Sequence, residues 1–176
     1  ATRNKDLELY PVDPSLKQEH EDLCKSIHSN ITVSPYQMNS AKDGKVRDDL
    51  VDNYYKALTK MQDRLLDNDK TMNMSGKAFL MGAQVRFADL MLWISLMRLD
   101  LAYQWRFGLG RYSIREDYPR LQDFVQQILN LEGIKESVYP RDMMALYFMT
   151  LKWTFNGNGR QLPQVPHAWE SKLGLQ

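Results

Sequence analysis

The chain has 176 residues, enough for one compact core and short of what two domains usually need. With 43% hydrophobic and 26% charged residues and a net charge of +1, the composition is that of an ordinary globule with its charges mixed along the chain, and nothing in it suggests a nucleic-acid-binding patch. Cys24 is the single cysteine, so no intrachain disulfide can form and a reducing intracellular compartment is expected.

Residues 1–12 read as an N-terminal extension. Asp13-Pro14-Ser15 then gives a capped helix start with proline in the first turn, and Leu16, His20, Leu23 and Ile27 recur at helical spacing. Cys24 flanks that stripe and reads as a small packed residue. Residues 29–44 are rich in Ser, Asn, Pro and Gly and read as a loop. The next helix is the clearest. Val46, Leu50, Tyr54, Ala57, Leu58, Met61 and Leu65 form its apolar face, and the charges between them form a solvated face. Residues 67–70 end it, and residues 71–77 are a polar connection.

A helix then begins near Ala88, with Asp89 in its first turn. Leu90, Met91, Leu92, Trp93, Ile94, Leu96, Met97, Leu99 and Leu101 make it apolar on nearly every side, so it belongs in a core or a membrane. Ser95, Arg98 and Asp100 interrupt it before the roughly 20 apolar residues that a bilayer needs. Residues 88–103 are therefore the expected central helix, with Leu92, Trp93 and Leu96 nearly fully buried. An aromatic and glycine-rich stretch follows, from Gln104 to Tyr118. Tyr118-Pro119 precedes an amphipathic helix through Leu131, with Gly133 as its stop. Residues 141–153 read as a last helix, and residues 156–176 as an irregular tail. The expectation is an all-α fold: five helices, no strand, a bundle over residues 13–155 around the central helix.

Searches for catalytic patterns come back empty. His20, His28 and His167 make no metal-binding pair, and no nucleophile elbow, Walker loop or dinucleotide fingerprint is present. No catalytic residue and no metal site is expected. Ten methionines suit adaptable packing or a partner surface.

Several separated blocks, in order over roughly residues 8–166, resemble one family. Gly82, Phe87-Ala88-Asp89 and the apolar helix after them look like the C-terminal helical domain of glutathione transferases. Leu96 to Tyr103, Ile114 with Tyr118-Pro119-Arg120-Leu121 and Phe124, Gly133-Ile134 with Glu136-Ser137-Val138, Leu146-Tyr147-Phe148, and Phe155-Asn156 with Pro163 are similar to blocks of the glutathionyl-hydroquinone reductases, a xi/omega-like group. The transferase capping box is Ser/Thr-x-x-Asp. Here Asp89 keeps its last position and Arg86 occupies the first, where an arginine cannot accept the helix N–H bonds; roughly 1 kcal/mol of cap stability is expected to be missing.

The resemblance implies a helical fold and, in the reductases, an aromatic-substrate pocket that draws on tyrosines. It nominates Tyr103 and Tyr147 as substrate-binding residues. The chain departs from the family at Phe107-Gly108-Leu109-Gly110, where the reductases have F-K-C-N. It departs again at Leu146-Tyr147-Phe148 and Thr150-Leu151, where they have H-Y-Y and Ser-His. Those reductases also carry an N-terminal thioredoxin-like domain with the catalytic cysteine and the glutathione site, and this sequence has no βαβ pattern.

Two functions follow as expectations. One is a non-catalytic transferase-like helical subunit, a structural and interaction component of a larger assembly. The other is the electrophile-binding half of a reductase or related transferase. Partners are expected to be other protein subunits, with no nucleic acid and no transmembrane segment. Expected contact residues are Trp105, Arg106, Phe107, Arg111, Tyr112 and Trp169, a set rich in interface anchors. No cofactor is expected, glutathione entering only if a thioredoxin-like half is supplied. Ala1 at the start fits removal of a leader on import into an organelle such as the mitochondrion, or the downstream part of something longer; the cytoplasm is the expectation otherwise.

Overall fold

Asp13 starts the first helix, α1 (Pro14–Ile27): its carboxylate accepts the Ser15 backbone N–H at 2.9 Å, and Pro14 sits where no intrahelical donor is needed. The structure is a computed structural model, and it describes residues 8–147. His20, Leu23 and Ile27 turn the inner face of α1 into the core, while Leu16 stays exposed. One wide π-helical turn, His28–Thr32, leads into α2 (Ser34–Ser40). The expected loop over residues 29–44 is thus mostly helical. Its Ser and Asn residues bond back onto the preceding turn: Ser29 Oγ donates to the Lys25 carbonyl and Asn30 Nδ2 to the Ser26 carbonyl, so polar composition there does not break the helix.

Asp43 caps α3 (Gly44–Met72) through the Val46 N–H. At 29 residues, α3 is about 43 Å long and the spine of the fold. It runs past residues 67–70 to a left-handed Asn73, whose N–H returns to the Asp69 and Lys70 carbonyls. Tyr54, Ala57, Leu58, Met61 and Leu65 are buried as their spacing requires; Val46, at the helix start, is exposed.

The connection to the next helix is held by the buried Arg120 and the half-buried Asp69. Asp69 accepts the Ala78 N–H at 2.8 Å and the Arg120 Nε at 2.6 Å, and Arg120 also donates to the Ala78 carbonyl. Helix α4 (Phe87–Arg98) follows. Asp89 accepts the Arg86 N–H at 2.7 Å and, with its other oxygen, the Leu80 N–H at 2.8 Å. This is half of a capping box. The Arg86 side chain turns away to the Glu8 carbonyl and carboxylate, tying down the extension, where Tyr10 stacks on Phe87 at 5.1 Å.

Leu92 is 0%, Leu96 1% and Trp93 7% exposed, so α4 is the central helix expected. It does not run unbroken to residue 103. After Arg98 the chain widens into a second π-helical turn, Leu99–Tyr103, and then a single turn, α5 (Gln104–Arg106). Buried Asp100 accepts the Ile114 N–H, holding the start of the short α6 (Ile114–Asp117). Helix α7 (Pro119–Leu129) ends at Asn130, short of Gly133, which sits at positive φ in the turn beyond. Helix α8 (Pro140–Ala145) begins the expected last helix; the rest of that helix and the tail lie outside the described residues. α4 packs against α1 and α7, and α3 against α7. The described residues contain eight α-helical segments and no strand, only an isolated bridge between Phe79 and Gly82. No helix among them is long and apolar enough to cross a membrane.

Candidate functional site

Both π-helical turns end at the same place. A π turn inserts one residue into the helical register and often marks a functional site. Here the first sets the entry into α2 and so places Tyr36, and the second carries Tyr103 at its last position. Tyr147, just beyond α8, completes a triangle of phenols. The hydroxyls of Tyr36 and Tyr147 are 2.8 Å apart, those of Tyr103 and Tyr147 3.2 Å, and those of Tyr36 and Tyr103 3.4 Å. Phe107 closes the cluster, with ring centroids 5.2 Å from Tyr103 and 5.3 Å from Tyr36.

Tyr103 and Tyr147 are buried; Tyr36 is 40% exposed and forms the outer wall. Burial raises the Tyr103 phenol far above its ordinary range, and its bonds to Tyr147 and Tyr36 push the same way. Burial also raises Tyr147, against the Tyr103 hydrogen bond and the nearby Arg98 charge. Tyr103 and Tyr147 are therefore held as neutral phenols. The three hydroxyls can exchange hydrogen bonds with one another or with an aromatic alcohol, and the two buried ones supply neither a base nor a nucleophile.

The lone thiol is no more reactive. Cys24 is half-buried, 3.7 Å from His20 Nε2, and burial with the Asp89 and Glu21 charges pushes its pKa up. His20 takes the Ala88 N–H at 3.4 Å; burial, then the Arg86 charge, pulls its pKa down. No group of three metal-ligating side chains occurs among the described residues.

The structure thus brings the two nominated residues Tyr103 and Tyr147 into direct contact. It adds Tyr36, which sequence reasoning missed inside a stretch read as loop; Pro35 at a helix start was the available signal. The nominated contact residues divide. Trp105 (65%), Arg111 and Tyr112 (41%) are exposed. Arg106 and Phe107 are buried, because the turn of α5 points them back into the bundle, so they do not belong to the exposed set. Trp169 lies outside the described residues.

With this geometry in view, comparisons place the chain among known proteins. Residues 44–127 match the family described as glutathione S-transferase, C-terminal domain. Glutathionyl-hydroquinone reductase YqjG of Escherichia coli is 26% identical over 152 residues, 86% of this chain and 42% of that protein. Glutathione S-transferase omega-like 2 of Saccharomyces cerevisiae is 24% identical over 66% of this chain and 34% of its own length. Among solved structures, the xi glutathione transferase ECM4 of Saccharomyces cerevisiae superposes with a TM-score of 0.81 at 22% identity, over 93% of this chain and 49% of that one. Glutathione-bound YqjG superposes at 0.72 and 24% identity, over 94% and 51%. The chain spans about half or less of the length of these relatives.

Proposed function

We propose that this chain, which carries a helical domain of the glutathione S-transferase C-terminal type related to the glutathionyl-hydroquinone reductases, works as a non-catalytic structural and interaction subunit of a larger protein assembly. One observation carries this reading. The tyrosines that would serve an aromatic substrate satisfy each other instead, in a closed triangle with its innermost member fully buried. A hydroxyl already bonded to two neighbours must break those bonds before it can recognise a ligand, and each costs about 1 kcal/mol to lose. Trp105, meanwhile, projects into solvent beside the cluster, and an exposed tryptophan is the kind of anchor that interfaces use. Glutathione enters this reading only through a thioredoxin-like partner or domain, and the free thiol of Cys24 suits a reducing compartment, the mitochondrial matrix or the cytoplasm.

A second reading, the electrophile-binding half of a reductase, is favoured by one feature. Tyr36 remains part-exposed, so a phenolic ligand has a route to the triangle. Mixing the 176-residue chain with glutathione and glutathionyl-hydroquinone, and separately titrating it with hydroquinone, separates the two. The first reading expects no turnover and no saturable change in tyrosine signals. Saturable binding that Tyr36→Phe weakens would move the assignment to the second.

A further inference from the structure

A groove runs along the outer junction of α1 and α3, away from the tyrosine triangle. One stretch of about 570 Å³ lies between Ser15, Glu19 and Asp22 on α1 and Arg64 on α3. The next, of about 710 Å³, lies between Ser26 and Asn30 on one side and Lys56, Lys60, Arg111 and Tyr112 on the other. Ser26 and Met61 line both, so the two stretches form one channel. From Ser15 to Ser26 the α1 wall alone is about 17 Å long, the span of some five extended residues.

The charges in this groove do not balance. Each of its carboxylates already has a cation: Glu19 with Arg64, Asp22 with Lys25, Asp52 with Arg111. Lys56 and Lys60 are exposed, lie one turn apart on α3 and pair with no carboxylate among the described residues. Beside the lysines stands an aromatic wall. Tyr112 meets Tyr55 edge-on at 5.0 Å and Tyr118 at 6.4 Å, and Arg111 lies 6.0 Å over the Tyr55 ring. Tyr55 and Tyr118 are buried behind Tyr112, their hydroxyls spent on the Leu109 and Tyr55 carbonyls, so Tyr112 is the aromatic surface that faces the groove.

We infer that this α1–α3 groove receives a short acidic segment of a partner protein, with two carboxylates on Lys56 and Lys60 and an apolar or aromatic side chain against Tyr112. The inference rests on the interaction role proposed above and names the partner chemistry for one face. Complementary charge would supply partner choice and encounter rate, and the aromatic wall the hold.

The test uses the 176-residue chain and a defined probe, the blocked peptide acetyl-Glu-Glu-Trp-Leu-Glu-Glu-amide, followed by NMR. The expected result is a set of shifts at Ser26, Lys56, Lys60 and Tyr112. Binding should weaken about 10-fold in the Lys56→Glu/Lys60→Glu variant and less in the Lys56→Gln/Lys60→Gln variant, which controls for folding, and it should fall with salt. No shift at millimolar peptide, shifts elsewhere, or an equal response to the same peptide with lysine for glutamate overturns the inference. Cross-linking of the native assembly separates this failure from failure of the interaction role. An assembly whose cross-links avoid Lys56 and Lys60 refutes the groove alone, whereas a solitary chain refutes the role itself.

Discussion

Tyr36 and Tyr147 stand 111 positions apart in sequence, and their hydroxyls lie 2.8 Å apart in the fold. That single bond joins the second helix to the last described one across the π turn that carries Tyr103. The same triangle that organises this end of the bundle occupies the hydroxyls that a phenolic substrate would need.

Removing one hydroxyl from that triangle separates its stabilising part from its packing part. Tyr103→Phe keeps the buried ring and loses bonds to two neighbours, so it is expected to cost about 1 kcal/mol. Tyr103→Ala also opens a cavity and is expected to cost about 3–5 kcal/mol. Urea unfolding of the two variants checks both numbers, and a Tyr103→Phe variant as stable as the parent chain would mean that the hydroxyl bonds are not formed in solution.

Two buried carboxylates make the fold sensitive to pH. Burial raises Asp89 to about 6 against the N–H bonds from Leu80 and Arg86, and raises Asp100 to about 6 against the Ile114 N–H and the Arg115 charge. Each binds its proton more tightly folded than unfolded. The stability that each contributes is therefore complete below about pH 3.9 and lost as pH rises through 6. Between pH 7 and pH 4.5 the wild-type chain should gain about 2 kcal/mol relative to Asp100→Asn. Unfolding curves of both proteins at the two pH values measure this. A constant difference would show that Asp100 titrates normally.

Asp69 behaves in the opposite sense. Burial opposes its charge, but the bonds from Arg120 and the Ala78 N–H outweigh it and hold its pKa below the usual value. Taking away the arginine leaves a half-buried carboxylate facing Ala78 unaided. Arg120→Met is expected to destabilise by about 3 kcal/mol or more, judged by thermal unfolding. A loss under 1 kcal/mol would mean that the pair is dispensable.

Gly108 offers a backbone test. Its φ is +67°, and a Cβ there would lie 2.9 Å from the Arg47 guanidinium, which donates to the Phe107 carbonyl at the end of α5. Gly108→Ala should cost about 1–3 kcal/mol through the strained backbone and a displaced arginine. A control at Gly110, where a Cβ meets nothing within 4 Å, should be close to neutral.

The fold was largely legible in the sequence where periodicity and caps coincide. Asp13-Pro14, the α3 stripe and the apolar run from Leu90 each state helix, start and buried face together. Composition misled where side chains bond to their own backbone, as Ser29 and Asn30 do, so a helical stretch looked like a loop. The π turns were not legible, because one added residue per turn leaves an apolar segment such as Leu99–Tyr103 looking like continuous helix. Two-thirds of the triangle could be named from resemblance, Tyr103 and Tyr147. Tyr36 could not, since its place depends on the width of the turn before it. Burial of Arg106 and Phe107 follows from the direction of the α5 turn, which local sequence does not reveal.

The central claim is that this chain acts as a subunit held by other proteins, and the native mass of its assembly tests that most directly. The chain should be recovered under non-denaturing conditions in particles of a defined mass well above its own 20.6 kDa, with Trp105 shielded from a soluble quencher that reaches it in the isolated chain. Recovery as a free 20.6 kDa monomer with Trp105 fully open to quenching would contradict the account.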